Sequence, residues 1–226
     1  MARQEPPSNY SKGAFMKTIF SLIFSVLLAN ITVIAYADVN APDELIKNTV
    51  HDVLEIINKD KLSNDDGQKK LLAFIDAKVL PHFNFEHMTK LAVGRPWRTA
   101  TDKQKAALMA EFRTLLVRTY TRAFTAYQNV SVDTKPATVP EGATEVTIKT
   151  VILRPGAPAI PVNYEMEKTD AGWKVFDVTV EGISLVATHR GSFAEKVQQA
   201  GIDGLIKSLV DLNHGSGSGV NKAETK

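Results

Sequence analysis

The sequence predicts an α+β protein: one four-stranded antiparallel sheet, with helices before and after it in the chain packed against one of its faces. Two changes of hydrophobic period indicate this order. Apolar residues recur at helical spacing between about residues 42 and 127, then alternate at strand spacing between about 130 and 180. Helical spacing returns after about residue 190. Because no internal repeat or linker interrupts this succession, we expect a single folded domain.

The helical part is predicted to contain four helices, the last of them the longest. Pro42 and the two acids after it suit a first helical turn. A second helix ends before Pro81, because proline cannot continue it. A short third helix is stopped by Gly94. The capping box TDKQ at 101–104 then opens the long helix, whose apolar stripe extends to about Tyr127.

The sheet is predicted from the alternating part of the sequence. The four strands are expected at 130–135, 144–154, 160–168 and 173–180. Turns that contain glycine or proline separate the last three strands as hairpins. In the last strand, Phe176, Val178 and Val180 are predicted to face one side of the sheet, and Trp173 and Val175 the other.

The C-terminal part is predicted to hold two short helices, at 192–200 and 203–212, separated by Gly201. After them the chain becomes rich in glycine and serine. Residues 213–226 are therefore predicted to form a disordered tail.

Residues 1–37 have the pattern of an N-terminal extension followed by a cleavable export signal. A basic residue after Met16 precedes an apolar run from 19 to 35, and Ala35-Tyr36-Ala37 is a small-x-small triplet. We expect cleavage after Ala37, translation starting at either Met1 or Met16, and a mature domain over 38–212. An uncleaved signal anchor is the alternative, and the polar residues within the run argue against it.

The composition excludes several classes of function. The chain has 27 basic and 25 acidic side chains, and the predicted leader carries more of the former, so the mature part is formally neutral. Since no basic block is interleaved with aromatic residues, nothing predicts nucleic-acid binding. The chain has no cysteine. Disulfides, thiolate catalysis and attachment of lipid through a cysteine are therefore excluded.

The sequence offers few candidates for catalysis. No nucleophile-elbow, zinc-peptidase, P-loop or dinucleotide-binding motif occurs. His82 and His87 lie about 140° apart on a helix and are unsuited to a shared metal. Asp177 interrupts an apolar strand and could act as a base, although such an aspartate more often accepts hydrogen bonds or pairs with an arginine, here Arg190. We therefore assign no catalytic residue and no metal ligand.

An apolar stripe on the long helix is the other feature of interest. It contains several tyrosine and phenylalanine residues, and the strand at 144–154 is apolar on both faces toward its end. The helix and the sheet could together form a filled core or line an apolar cavity. Hydrophobic period alone does not distinguish these two cases.

Two long runs carry a family resemblance. They are FNFEHMTKLAVGRPWRTATDKQ, which starts at residue 83, and WKVFDVTVEGISLVATHRGSF, which starts at residue 173. Both resemble the toluene-tolerance family, the periplasmic phospholipid-binding proteins of the Mla ABC transport system that maintains outer-membrane lipid asymmetry. The resemblance extends from about Ala41 to Leu212, nearly the whole predicted mature chain.

The resemblance implies a fold similar to nuclear-transport-factor-like domains, with an added helical part and a deep apolar pocket. It implies a soluble periplasmic phospholipid carrier that is not an enzyme and that needs no cofactor, since the phospholipid is its cargo. Its expected partners are an inner-membrane ABC permease complex and an outer-membrane lipoprotein–porin complex. We expect a monomer, with residues 38–212 forming the phospholipid-binding domain.

The expected lipid-binding residues belong to the long helix, the sheet and the segment after it. They are Leu116, Tyr120, Phe124, Tyr127, Ile148, Ile152, Val162, Tyr164, Val178, Val180 and Leu185. Arg95 and Arg190 are candidates for the pocket mouth or for docking. Two other functions are open at this point: a ketosteroid-isomerase-like enzyme that uses Asp177, and a chaperone-like binder of hydrophobic segments.

Overall fold

The computed structural model describes residues 41–59, 65–124 and 130–215, with the side chains of 65 and 122–124 left out. All of these residues belong to one compact unit, Val39–Lys226. The predicted leader and the tail after residue 215 lie outside the described residues. No helix in the described ranges is long and apolar enough to span a bilayer.

In chain order, helices come before and after the strands of the sheet, as the sequence predicts. They are α1 (Pro42–Lys59), α2 (Asp65–Phe74), a π-helical turn (Ile75–Val79), a 3₁₀ turn (Leu80–His82), α3 (Phe85–Val93), a second 3₁₀ turn (Arg95–Arg98), α4 (Asp102–Phe124) and α5 (Leu185–His214). The capping box before α4 is present. The Thr101 backbone N–H donates to the Gln104 side chain at 3.0 Å, and the Gln104 N–H donates back to the Thr101 hydroxyl at 3.2 Å.

The sheet has five antiparallel strands, one more than predicted, in the order β1-β2-β3-β4-β5. They are β1 (Ser131–Thr134), β2 (Glu145–Leu153), β3 (Ile160–Thr169), β4 (Gly172–Val180) and β5 (Ile183–Ser184). The additional strand, β5, has two residues that pair with the end of β4. A run of two residues is too short to show an alternating period, and so the sequence did not reveal it.

A β-bulge in β4 changes which of its side chains share a face of the sheet, and the predicted facing of Phe176 and Val175 was therefore wrong. Glu165 of β3 pairs with Asp177, but its neighbour Met166 pairs with Val175, so Phe176 is the additional residue. The bulge reverses the alternation. As a result, Val175 and Val178 lie in the same core cluster. Phe176 instead packs against the helical cluster on the α3–α5 side.

The C-terminal helix begins earlier than predicted, at Leu185 rather than residue 192. Ser184 caps it, because its hydroxyl oxygen accepts a hydrogen bond from the Ala187 N–H at 2.9 Å. The predicted break at Gly201 is confirmed by a φ of 68°, which leaves the helix kinked there. The helix continues to His214, so the first residues of the predicted tail are ordered.

The core has a helical part, a sheet part and a smaller third cluster formed by Val53, Ile57, Leu71 and Ile75. In the helical part, Phe112 of α4 is fully buried and meets the Phe193 ring of α5 edge-to-face, with 5.3 Å between the ring centroids. In the sheet part, Ile148, Met166 and Trp173 are buried in one cluster with Ile46 of α1. Residues of all three core clusters line the cavity considered below.

His189 is half-buried against the helical part of the core. Its ring packs edge-to-face on Phe112, and its Nε2 atom is buried without a hydrogen-bond partner. Burial lowers the pKa of His189 below its usual value of 6.5, since charging the ring there would remove an ion from water.

We expect acidification below about pH 6.5 to destabilise the fold progressively, because the unfolded chain then binds a proton that the folded chain resists. The free energy of unfolding has its full value above that pH, and it falls as the pH drops through the lowered pKa of His189 in the folded chain. The measurement is urea unfolding between pH 5 and 8. A His189→Leu variant should show a shallower slope, although not a flat one, since His82 also has a lowered pKa. An unchanged slope would contradict this role of His189.

Candidate binding cavity

A cavity of about 430 Å³ lies between the sheet and the helices α1 and α4. This volume falls within the range of about 300–1,000 Å³ that is typical of pockets for small ligands. The wall is formed by α1 (Ile46, Thr49, Val50, Val53, Leu54, Ile57), by residues 75–88 (Ile75, Val79, Leu80, His82, Phe83, Phe85, Met88), by α4 (Leu116, Val117, Tyr120, Thr121), and by the sheet and the residues beside it (Val130, Val132, Ile152, Val162, Tyr164, Val175, Val178, Val180, Leu185).

The wall follows from the periods of its elements. On α1 the apolar residues recur three and four positions apart, which places them on one helix face. On the sheet, alternate residues of neighbouring strands point to one side. Val162 pairs with Val180, and Tyr164 pairs with Val178, so these four side chains form a continuous patch. The bulge at Phe176 adds Val175 to the same patch.

Most of the predicted lining residues lie on this wall. They are Leu116, Tyr120, Ile152, Val162, Tyr164, Val178, Val180 and Leu185. Ile148 does not: it is fully buried in the sheet core and is not among the residues that line the cavity. It pairs with Tyr164 on β3 and fills the space beside the cavity. The side chain of Phe124 and all of Tyr127 lie outside the described residues.

Sequence reasoning missed the contribution of α1 and of residues 75–88. The signal in α1 was its apolar stripe, which the helix turns toward the cavity. The π-helical turn gave no signal. There the Leu80 N–H donates to the Ile75 carbonyl five residues back, a pattern that no helical period predicts. Through this turn both Ile75 and Val79 reach the wall.

The cavity is electrically neutral. Burial raises the pKa of Tyr164 to about 12, against a smaller opposing effect of the Thr150 hydroxyl. Burial, together with the charge of Asp177, raises the pKa of Tyr120. Burial also lowers the pKa of His82, and the nearby Lys174 adds to this. All three titratable side chains of the wall are therefore uncharged at neutral pH, and the site suits an apolar ligand.

Asp177 has a structural role in the link between β4 and α5. Its carboxylate accepts hydrogen bonds from the Val178 N–H at 2.8 Å, from the Ser184 hydroxyl and from the Val186 N–H at 3.2 Å. The predicted pairing with Arg190 was wrong. Arg190 instead donates to the Leu91 carbonyl oxygen through Nε and Nη2, at 3.1 and 3.0 Å. Asp177 is not among the residues of the cavity wall.

No group of three or more acidic, histidine or cysteine side chains is placed to hold a metal ion within the described residues. His82 lines the cavity, and His87 does not. His87 instead contacts the Glu167 carboxylate, with 2.9 Å between Nδ1 and Oε1, and its ring stacks on Phe176 at 4.4 Å. This contact attaches the start of α3 to the sheet.

Comparison with known families identifies the family of this chain. The model of the family described as MlaC protein matches residues 47–211, a span that contains α4, the sheet and nearly all of α5. The chain belongs to the MlaC family. The two runs that begin at residues 83 and 173 both lie inside the matched span, and the family resemblance predicted from them is confirmed.

Two relatives of the chain support its place in the MlaC family. The chain is 27% identical over 182 residues to the toluene tolerance protein ttg2D of Pseudomonas putida, and this alignment covers 79% of the chain and 82% of that protein. It is 21% identical over 197 residues to the intermembrane phospholipid transport system binding protein MlaC of Haemophilus influenzae, which covers 85% of the chain and 90% of that protein.

A solved structure is similar to this chain, and the match covers almost the whole length of the solved protein. It is a phospholipid-binding protein from Ralstonia solanacearum, determined in complex with a phospholipid. The TM-score is 0.70 at 30% sequence identity, and the match covers 77% of this chain and 97% of that one. This likeness confirms the predicted α+β fold for the MlaC-family chain, with the strand count corrected from four to five.

Proposed function

We propose that this chain is a soluble periplasmic carrier that holds phospholipid in the cavity and passes it between membrane complexes. The observation that carries the proposal is the uncharged, apolar cavity of about 430 Å³ between sheet and helices. The chain shares its fold with a protein of Ralstonia solanacearum whose structure was solved with a phospholipid bound. The chain also belongs to a family whose relatives include a phospholipid transport binding protein.

The physical need for such a cavity is large. Each methylene group exposed to water costs about 0.8 kcal/mol, so two acyl chains of sixteen carbons cost roughly 25 kcal/mol. A carrier must replace the membrane interior with side chains of similar polarity. The valine, leucine, isoleucine and phenylalanine side chains of the wall do this. Transport itself requires no bond to be made or broken, and hence no catalytic group.

The remaining parts of the proposal rest on the sequence pattern of the leader and on the family resemblance. Residues 38–212 form the phospholipid-binding domain, and the leader directs export, with cleavage after Ala37. The carrier is a monomer that needs no cofactor. Its partners are an inner-membrane ABC permease complex and an outer-membrane lipoprotein–porin complex. By carrying phospholipid between these two complexes, it maintains the lipid asymmetry of the outer membrane.

A transfer assay tests the carrier function. Donor vesicles containing a fluorescent phospholipid are mixed with acceptor vesicles, with and without the chain starting at Asp38. We expect transfer to increase in proportion to the concentration of the chain, and labelled lipid to appear in the vesicle-free protein fraction. Transfer equal to the rate without protein would contradict the proposal. Suppression of aggregation of an unfolded client without lipid transfer would favour the chaperone-like alternative.

An Asp177→Asn variant separates the carrier from the isomerase-like alternative. The amide replaces one acceptor oxygen by a donor, so hydrogen bonds from Ser184 and the start of α5 are weakened. We expect a loss of about 1–3 kcal/mol in the free energy of unfolding, measured in urea, and unchanged phospholipid transfer by the folded variant. Loss of transfer by a variant that is fully folded would contradict the structural role of Asp177.

A further inference from the structure

We propose that a polar recess beside the cavity is a headgroup subsite that favours zwitterionic phospholipids, with Lys78 facing the phosphate and Asp52 facing the ammonium group. This inference rests on the proposed carrier function and adds a headgroup preference to it. The recess has a volume of about 190 Å³. That is far more than the 10–15 Å³ that a single water molecule requires.

The recess adjoins the cavity at two residues. Thr49 and His82 line both spaces. On α1, where successive residues turn by about 100°, Thr49 lies between the apolar face of Val53 and the polar face of Asn48 and Asp52. The wall therefore changes from apolar to polar within one helix, as the surroundings of a phospholipid change between its acyl chains and its headgroup.

The charges of the recess are available to a ligand. Neither Asp52 nor Lys78 forms an ion pair or a side-chain hydrogen bond with any other residue that the structure describes. Asp76, which shares the π-helical turn with Lys78, is by contrast bound to Arg113 at 2.6 Å. Lys78 is also held on that turn, a kind of element that often occurs at functional sites.

The chemistry of the recess suits one headgroup class best. Lys78 offers a cation and Asp52 an anion in the same small space. A phosphate linked to an ammonium group, as in phosphatidylethanolamine, matches both charges. An anionic head without an amine, as in phosphatidylglycerol, gains the attraction of Lys78 but leaves Asp52 repelled. Neutral His82, at the boundary of the two spaces, supplies an N–H donor for the phosphate or the glycerol esters.

Competition between two lipids tests the subsite. The chain starting at Asp38 is incubated with vesicles that contain equal amounts of phosphatidylethanolamine and phosphatidylglycerol, separated from them, extracted and analysed by mass spectrometry. We expect the ethanolamine lipid to be enriched about two- to fivefold, the range that exposed charge pairs provide. Asp52→Asn should bring the ratio close to one.

Matched controls and a soluble competitor complete the experiment. Glu55→Gln removes one negative charge from the same helix outside the recess, and should keep the wild-type ratio. Equal enrichment in wild type and in Asp52→Asn would overturn the subsite and leave the carrier intact. Absence of lipid from every variant would overturn both. If inorganic phosphate alone shifts the NMR signals of His82 as strongly as lipid does, the recess is a free-anion site and the headgroup assignment fails.

Discussion

A Tyr164→Glu variant is expected to carry at least about tenfold less phospholipid than the wild-type chain. Tyr164 faces the cavity from the central part of the sheet, where burial raises the pKa of its phenol to about 12. Placing a carboxylate there costs several kcal/mol if it is charged, and leaves a polar group among acyl chains if it is neutral. A loss of about 1.4 kcal/mol already corresponds to tenfold in binding.

Two variants control this prediction. Asn163→Glu places the same group on the preceding residue of β3, which faces away from the cavity and pairs with Lys149 of β2. It should retain full phospholipid. Tyr164→Phe removes only the hydroxyl and should also retain it. The measurement is phospholipid per chain after purification, on variants whose circular dichroism matches the wild type. Full occupancy in Tyr164→Glu would show that this side of the sheet is not the lining.

Phe112→Ala is expected to cause the largest loss of stability, about 3–5 kcal/mol in the free energy of unfolding. The Phe112 side chain is fully buried between α4 and α5. Truncation leaves a cavity that the rings of Phe193 and His189 cannot fill, and it removes two edge-to-face contacts with centroids 5.3 Å apart. Urea denaturation gives the value, with the midpoint and slope compared between variant and wild type.

Leu212→Ala serves as the control on α5. This leucine is 56% exposed, so its truncation should change the free energy of unfolding by less than about 0.5 kcal/mol. A loss below about 1 kcal/mol for Phe112→Ala would mean that the α4–α5 contact is not a main contribution to the stability of the fold.

The sequence predicted those parts of the fold that rest on local signals. The capping box before α4 and the break at Gly201 each follow from a few adjacent residues, and both are present. The facing of β4 did not follow, because the bulge at Phe176 is set by pairing with β3, a contact distant in sequence. At the start of α5, Asp177 also accepts hydrogen bonds from the Ser184 hydroxyl and the Val186 N–H, and only the folded chain makes these contacts.

For the binding cavity, too, local sequence signals predicted one part and contacts between distant elements decided the rest. The alternation of β3 and β4 was enough to place Val162, Tyr164 and Val180 on a common face. It did not distinguish Ile148, which faces the same side, from the residues of the wall. Whether a side chain on that face meets another side chain or empty space depends on what covers it. That is decided by α1 and by the π-helical turn, and neither is visible in the period of the strand.

The most direct test of the central claim is to extract the purified chain with organic solvent and to identify the released molecules by mass spectrometry. The chain is expressed with its leader, isolated from the periplasm without detergent, and compared with the Tyr164→Glu variant. We predict diacyl phospholipid at about one molecule per wild-type chain, and at most a tenth of that in the variant. Wild-type protein that is fully folded and releases no phospholipid would contradict the account.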